Sequence, residues 1–351
     1  MRGFFKLIAI VLLVAAAWLI WSLAIPKRPA VPKAAQQAAE QPATVLLKPG
    51  WSSRRIATEL KNEGVIRSTN AFLLLHAVRM RRLKAGEYLF DHSENSIQIY
   101  DRLARGDIYF HTVVVPEGLN MFDIAGAIEA AGLGSSDDFL QAAEKNASLV
   151  HDLDPQAHSL EGYLFPDTYR FTRAQTMQDI VTEMVRRFRQ KARELSLIPE
   201  PGANTEDRRD IFFVHRVVTM ASIVEKETGA PEERATVAGV YYNRLQRRIA
   251  LQADPSVLYA SLLDGHYTGQ IHRSDLEANS PYNTYKFPGL PPGPICNPGE
   301  ASLKAAMHPA NTNYLYFVSD NNGHHRFAAT LDEHEKNVLA YRRAVAANTN
   351  R

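Results

Sequence analysis

Residues Leu7 to Ile25 form an apolar run in which Ser22 is the only clearly polar side chain. At roughly 1.5 Å of rise per residue, a helix of this length just crosses a hydrocarbon core. A buried core helix is a poor alternative at the extreme N-terminus, so the run fixes where the rest of the chain must start: at a membrane surface. Arg2 and Lys6 precede it and Lys27 and Arg28 follow it, so the flanking charges alone do not set its orientation. A cleavable signal peptide is the rival reading, with Ser22-Leu23-Ala24 as the cut. The length of the run and Pro26 close behind that cut favour an uncleaved anchor over 1–25, with the bulk of the chain outside the cytoplasm.

Beyond the anchor, residues 26–43 are rich in Pro, Ala, Gln and Lys without apolar periodicity, and read as a flexible tether. The pattern then becomes globular, in a chain of 351 residues long enough for one large or two small domains. A net charge of only +2 argues against a nucleic-acid partner, and the single Cys296 excludes an intrachain disulfide. A strand is expected at Val45–Lys48. A helix capped by Ser52 or Ser53 should carry Ile56, Ala57 and Leu60 and end at Gly64. A second helix with Phe72, Leu75 and Val78 follows, then a strand over Gly86–Phe90, a helix over Ile97–Leu103 and a strand over Ile108–Val115.

There is an internal echo at an offset of 68 positions. Gly50, Ile56, Ala57, Leu60 and Gly64 recur as Gly118, Ile124, Ala125, Ile128 and Gly132. Tyr88-Leu89-Phe90 and the helix after it also resemble Tyr169-Arg170-Phe171 and its following helix. Two copies of a small α+β unit are expected, the second carrying an insertion; chance similarity is the alternative.

Residues 209–228 read as a helix with Val214, Val217, Val218, Ala221 and Val224 on one stripe, stopped by Gly229 and Pro231. A new helix should start in Glu232-Glu233. Asp254-Pro255 reads as an N-cap followed by proline at the first helical position. Tyr314–Ser319 and His325–Ala328 should pair through a turn at Asn322-Gly323, and Thr330 with Glu333 makes a capping box for the last helix.

The familiar chemical motifs are missing. There is no His-Glu-x-x-His, no cysteine ligand set, no Gly-x-Ser-x-Gly and no phosphate-binding glycine loop. The adjacent His324-His325 would send its rings to opposite faces of a strand. Neither a metal nor another cofactor is implied. What is left is the carboxylate pair Glu225 and Glu227. Two positions apart on a helix, they cannot form a close dyad by themselves. A helical wheel puts Glu225 inside the apolar stripe and Glu227 on its flank, where a half-buried carboxyl can reach a cleft and stay protonated. Spacing alone favours the plainer reading, a solvated and salt-bridged helix end.

The residues also resemble a known family. Ala221-Ser-Ile-Val-Glu-Lys-Glu-Thr228 is similar to the signature of the membrane-anchored endolytic murein transglycosylases, the MltG/YceG-like family. The resemblance continues through Glu161-Gly-Tyr-Leu-Phe-Pro-Asp-Thr-Tyr169, Asn243-Arg244-Leu245, Leu251-Gln252 with Asp254-Pro255, and Tyr282-Asn283-Thr284-Tyr285. Gly289-Leu-Pro-Pro-Gly293, Asn297-Pro298-Gly299, Tyr314-Leu-Tyr-Phe-Val318 and His325 complete it.

This resemblance implies an α+β fold: a single transmembrane helix, a small LysM-like subdomain over 44–111 and a larger YceG-like catalytic domain over 112–351. It implies a lyase of the inner membrane, facing the periplasmic or extracytoplasmic side. Such an enzyme cleaves the bond between N-acetylmuramic acid and N-acetylglucosamine in peptidoglycan glycan strands, and leaves a 1,6-anhydro end. The anchor makes nascent strands the expected substrate, and cell-wall synthases are the partners expected from the family. One glutamate serves as acid and then base. Carried over by motif, it is Glu227, with Glu225 in reserve. Glu161, Tyr163, Asp167, Asn243, Gln252, Asn283, Tyr285 and His325 are weaker candidates for substrate binding. Two other readings stay open. One is a non-catalytic glycan-binding scaffold. The other is a hydrolytic muramidase, which would need a second carboxylate near Glu227, with Glu161 or Asp254 as the candidate.

Overall fold

The computed structural model describes residues 2–27, 43–199 and 212–349. Most of the proposed tether, 28–42, and the first residues of the helix expected from 209 lie outside them. The fold is mixed α+β. It divides into two compact units, residues 1–112 with 170–176, and residues 113–169 with 177–351.

Unit 1 opens with α1 (Arg2–Leu23), whose side chains from Phe4 to Trp18 are all exposed. An apolar helix whose first four turns are exposed suits lipid better than water. The chain continues through β1 (Ala43–Leu47), α2 (Ser53–Asn62), α3 (Thr69–Arg79), β2 (Gly86–Phe90) and α4 (Ser96–Arg105). β1 and β2 pair antiparallel, Ala43 opposite Phe90 and Leu47 opposite Gly86. Leu47, Ala57, Leu60, Phe72, Tyr88, Tyr100 and Leu103 are buried together as one core. The unit boundary falls within β3 (His111–Val114) and β4 (Thr168–Phe171), which form a second two-stranded sheet.

The internal echo is real in three dimensions. Between β3 and β4 lie α5 (Met121–Ala130) and α6 (Ser136–Lys145), and α7 (Met177–Glu194) follows β4. The order strand, helix, helix, strand, helix therefore occurs twice. α5 repeats α2 residue for residue at the offset of 68. Ile124, Ala125 and Ile128 are buried as Ile56, Ala57 and Leu60 are. Gly50 (φ 80°) and Gly118 (φ 81°) turn the chain in, and Gly64 (φ 71°) and Gly132 (φ 68°) turn it out, each in the left-handed region that glycine tolerates best. Even the tyrosines match: Tyr88 donates to Lys84 O and Tyr169 to Phe165 O, both four residues back. The insertion in the second copy is 146–167, which carries the Glu161 motif.

The rest of unit 2 holds α8 (Phe213–Glu227), α9 (Arg234–Gln246), α10 (Asp254–Leu263), α11 (Arg273–Glu277), α12 (Glu300–Met307) and α13 (Leu331–Thr349). A hairpin of β5 (Tyr316–Ser319) and β6 (His325–Ala328) packs on α13. The Thr330–Glu333 capping box is present, with Thr330 N donating to Glu333 and Glu333 N to Thr330 Oγ1. Three local expectations need correction. Pro231–Glu233 forms a separate 3-10 turn before α9. The N-cap of α10 is Ala253, so Asp254 is the first helical residue and its side chain is free for other work. His324 lies in the hairpin loop, not in the strand, so the two histidine rings do not diverge: both face Glu233, His325 Nδ1 at 2.7 Å and His324 Nδ1 at 3.5 Å.

α8 is fixed from several sides. Its Ser222 Oγ accepts from Ile295 N at 3.0 Å, and Val218 packs beside Gly162. Gly162 has φ +86°, and a Cβ there would sit 2.4 Å from Pro294 Cγ and 2.9 Å from Val218 Cγ1. Gly162→Ala should therefore destabilise the protein by about 1–3 kcal/mol, from overpacking with backbone strain added. Urea unfolding checks this, and an unchanged midpoint would show that the joint is loose.

Candidate active site

α8 is apolar almost throughout, with Val217, Val218, Met220, Ala221, Ile223 and Val224 buried. Its last residue is Glu227. Thr228 leaves the helix in an extended conformation, and its hydroxyl accepts from Ala230 N at 3.0 Å, which shapes the exit. Glu227 is thus a half-buried carboxyl at the end of a rigid, well-packed helix. It lines a cleft of about 250 Å³ together with Tyr241, Arg244, Gln252, Asp254, Tyr285, Leu315, Tyr316, Phe317 and His334.

The Tyr241 hydroxyl donates to Glu227 Oε1 at 2.5 Å, and its ring meets Phe317 edge-on at 5.8 Å. Burial pushes the Glu227 carboxyl up to about 7. The hydrogen bond from Tyr241 pulls the other way, the charge of Asp254 adds to the rise and that of Arg244 opposes it. Arg244 is itself buried. It donates to Leu251 O at 2.5 Å and to Gln252 Oε1 at 3.1 Å, and it lies over the Tyr316 ring. Gln252 takes a left-handed backbone (φ 54°), uncommon for a residue with a Cβ, and its N–H donates to Thr284 O. Thr284 Oγ1 accepts from Ala253 N at 2.9 Å, and Tyr285 donates to Asp254 Oδ1 at 2.6 Å. The Leu251–Pro255 and Tyr282–Tyr285 motifs, separate in sequence, thus lock together and present one carboxylate to the cleft.

The other candidates are distributed as follows. Gln252 and Tyr285 share the cleft with Glu227. Glu225 points elsewhere: it pairs with Arg234 at 3.4 Å and accepts from Gly299 N at 2.9 Å. Glu161 is buried and accepts from Met121 N, Tyr259 and Asn297, outside the cleft lining. Tyr163 is fully buried, donates to Asp154 and meets Phe188 edge-on, so its ring is not open to a sugar. Asp167 pairs with Arg187 at 2.5 Å. Asn243 donates to Thr312 O and Tyr314 O, and Asn283 to Asp275 O, Leu276 O and Ala278 O; both brace backbone. His325 is held by Glu233. Asp254, named in the sequence only as a second carboxylate for the muramidase reading, does line the Glu227 cleft, whereas Tyr241, Arg244, Tyr316, Phe317 and His334 were not singled out as site residues. An arginine three residues after Tyr241, on the same side of α9, was the available signal for the first two of these.

The sequence profile of the YceG-like family matches residues 45–340. The chain belongs to the YceG-like family. A Bacillus subtilis protein named endolytic murein transglycosylase is 35% identical over 303 residues, covering 82% of this chain and 81% of that one. A Streptococcus pneumoniae protein of the same name is 29% identical over 327 residues, covering 85% of this chain and 58% of that one. The crystal structure of a YceG-like protein from Listeria monocytogenes superposes with a TM-score of 0.54 at 32% identity, covering 85% of this chain and 99% of that one. Within this YceG-like chain, the matched residues reach into both units and include every residue lining the cleft.

Proposed function

We propose that the chain is a membrane-anchored endolytic lytic transglycosylase of peptidoglycan, with Glu227 as its single acid and base. The observation that carries this reading is a half-buried carboxyl with its pKa pushed up to about 7, facing an open cleft. A protonated Glu227 donates to the glycosidic oxygen, and the bond from that oxygen to the muramic C1 breaks. The resulting carboxylate then takes the proton of the muramic C6 hydroxyl as O6 closes onto C1. Glu227 ends as it began, protonated, and water takes no part. One group suffices because the nucleophile belongs to the substrate. Tyr241 holds the carboxyl in place, and the negative charge of Asp254 both favours the protonated acid and faces the positive charge that develops at C1.

The anchor reading rests on α1, and the extracytoplasmic placement on the location of the substrate. The LysM-like assignment of 44–111, with glycan binding as its role, belongs to the same proposal. So do a preference for nascent strands and association with cell-wall synthases. A hydrolytic muramidase is the second reading, favoured by one observation: Asp254 supplies a second carboxylate in the Glu227 cleft.

The pH dependence tests the acid role. The free enzyme must carry a protonated Glu227, so kcat/KM on purified glycan strands should fall about tenfold per pH unit above about 7. Tyr241→Phe removes a hydrogen bond that lowers the pKa, so the alkaline limb should move to higher pH. Asp254→Asn removes a charge that raises it, so the limb should move to lower pH. A limb that stays put in both variants would assign the titration to another group.

A further inference from the structure

The last turn of α1 is built into unit 1. Ser96 Oγ donates to Ser22 O at 3.0 Å, and Arg67 donates to Pro26 O at 3.0 Å while its guanidinium lies 4.8 Å over the Trp21 ring. Lys27 N donates to Glu94 O, and Leu23 packs against the core of the unit. The end of the apolar helix is thus bonded directly to the folded module. If α1 crosses a bilayer, this face of unit 1 starts at headgroup level.

That face is cationic and apolar. Arg67 reaches Pro26 O next to Lys27, and Lys61 lies in the last turn of α2; burial first, then the charges of Arg67 and Lys61, hold the Lys27 ammonium below its usual value. α3 starts two residues after Arg67 and packs beside α1. Leu74 and Val78, four apart and so on one side of the helix, are 49% and 76% exposed, and Met80 just beyond is 84% exposed. Exposed Arg82 follows, after Arg81, which pairs with Asp101 at 3.7 Å. Apolar side chains flanked by basic ones are the composition of a segment that lies in a membrane interface.

We propose that Lys27, Lys61 and Arg67, with Leu74, Val78 and Met80 of α3, form a docking surface for the anionic phospholipid headgroups of the bilayer that carries α1. Cations on the far side of an anchor run against the usual charge bias of membrane proteins, and a lipid-binding role accounts for them. The proposal rests on the anchor reading. It goes beyond it by holding unit 1 itself, and not only α1, on the membrane.

Cys296 is the only cysteine and is buried, so Val78→Cys in the full chain takes a single environment-sensitive fluorophore. The labelled protein is reconstituted in vesicles of phosphatidylglycerol and phosphatidylcholine, or of phosphatidylcholine alone, each with a headgroup-level quencher. Quenching should be strong only with phosphatidylglycerol. Lys61→Gln, an exposed change, should lower the docked-to-undocked ratio by about fivefold, the usual effect of one basic residue near an anionic surface. Equal quenching in both lipids, or none in protein that floats with the vesicles, overturns the proposal. So does quenching that vanishes as protein is diluted among vesicles, which would mean a second copy covers the face. Failure to float at all overturns the anchor reading instead, and is read separately.

Discussion

Glu227→Gln should lower cleavage of glycan strands by roughly 10²–10⁴-fold, the range that a positioned acid–base group contributes. The fold should survive the change. The glutamine carbonyl can still accept from Tyr241, so the 2.5 Å partner is not orphaned. The sign of the stability effect follows from the raised pKa. A carboxyl at about 7 in the fold, against an ordinary value of 4.5, binds protons more readily folded than unfolded. Its favourable contribution is complete below the unfolded value and is lost as pH rises through about 7. Glutamine removes that loss, so above neutral pH the variant should melt no lower than wild type. Activity assays beside thermal melts check both halves. A variant that melts much lower would make the lost activity a folding effect.

Glu161 should give the largest stability effect, and for a different reason. Its carboxylate gathers three donors, Met121 N at 2.9 Å, Tyr259 at 3.0 Å and Asn297 Nδ2 at 2.9 Å. Asn297 cannot flip to help a substitute, because its Oδ1 accepts from Leu164 N and its Nδ2 also donates to Leu119 O. In Glu161→Gln the new amide must therefore face another donor. One unsatisfied buried donor costs about 1–3 kcal/mol, and Glu161→Ala, which strands three, should cost more. At about 2–4 °C per kcal/mol for a domain of this size, the melting temperature should fall by several degrees in the glutamine variant and further in the alanine variant. Because Glu161 lies outside the Glu227 cleft, the folded fraction should keep its KM. A raised KM with an unchanged melting temperature would return Glu161 to substrate binding.

These two glutamates show what the sequence could and could not reveal. Both are pushed up to about 7 by burial, and both sit in motifs that carry the sequence's resemblance to the family. A wheel put Glu225 in the apolar stripe and Glu227 on its flank, but spacing alone favoured a plain helix end, and the choice of Glu227 came from the resemblance. No period could show that Glu161 is enclosed, since its insertion is irregular and its three donors come from Met121, Tyr259 and Asn297. The repeat was legible because glycines that turn the chain and apolar residues that fill a core recur at fixed spacing. Asp254 was misread because Asp before Pro fits either the cap or the first helical turn. The backbone makes Ala253 the cap, and the Asp254 side chain is taken instead by the hydroxyl of Tyr285, thirty-one residues away. His324 and His325 were misread because strand alternation was applied across the end of a strand. In each case the local rule was sound, and a distant partner decided the outcome.

The central claim is that O6 of the substrate, and not water, attacks C1. The full chain should be incubated with purified peptidoglycan in water labelled with heavy oxygen, and the new muramic ends weighed by mass spectrometry. The account predicts anhydro ends, lighter than reducing ends by one water and free of the label, from wild type and none from Glu227→Gln. Reducing ends that carry the heavy oxygen would contradict it, and would make the pair Glu227 and Asp254 the machinery of a hydrolase.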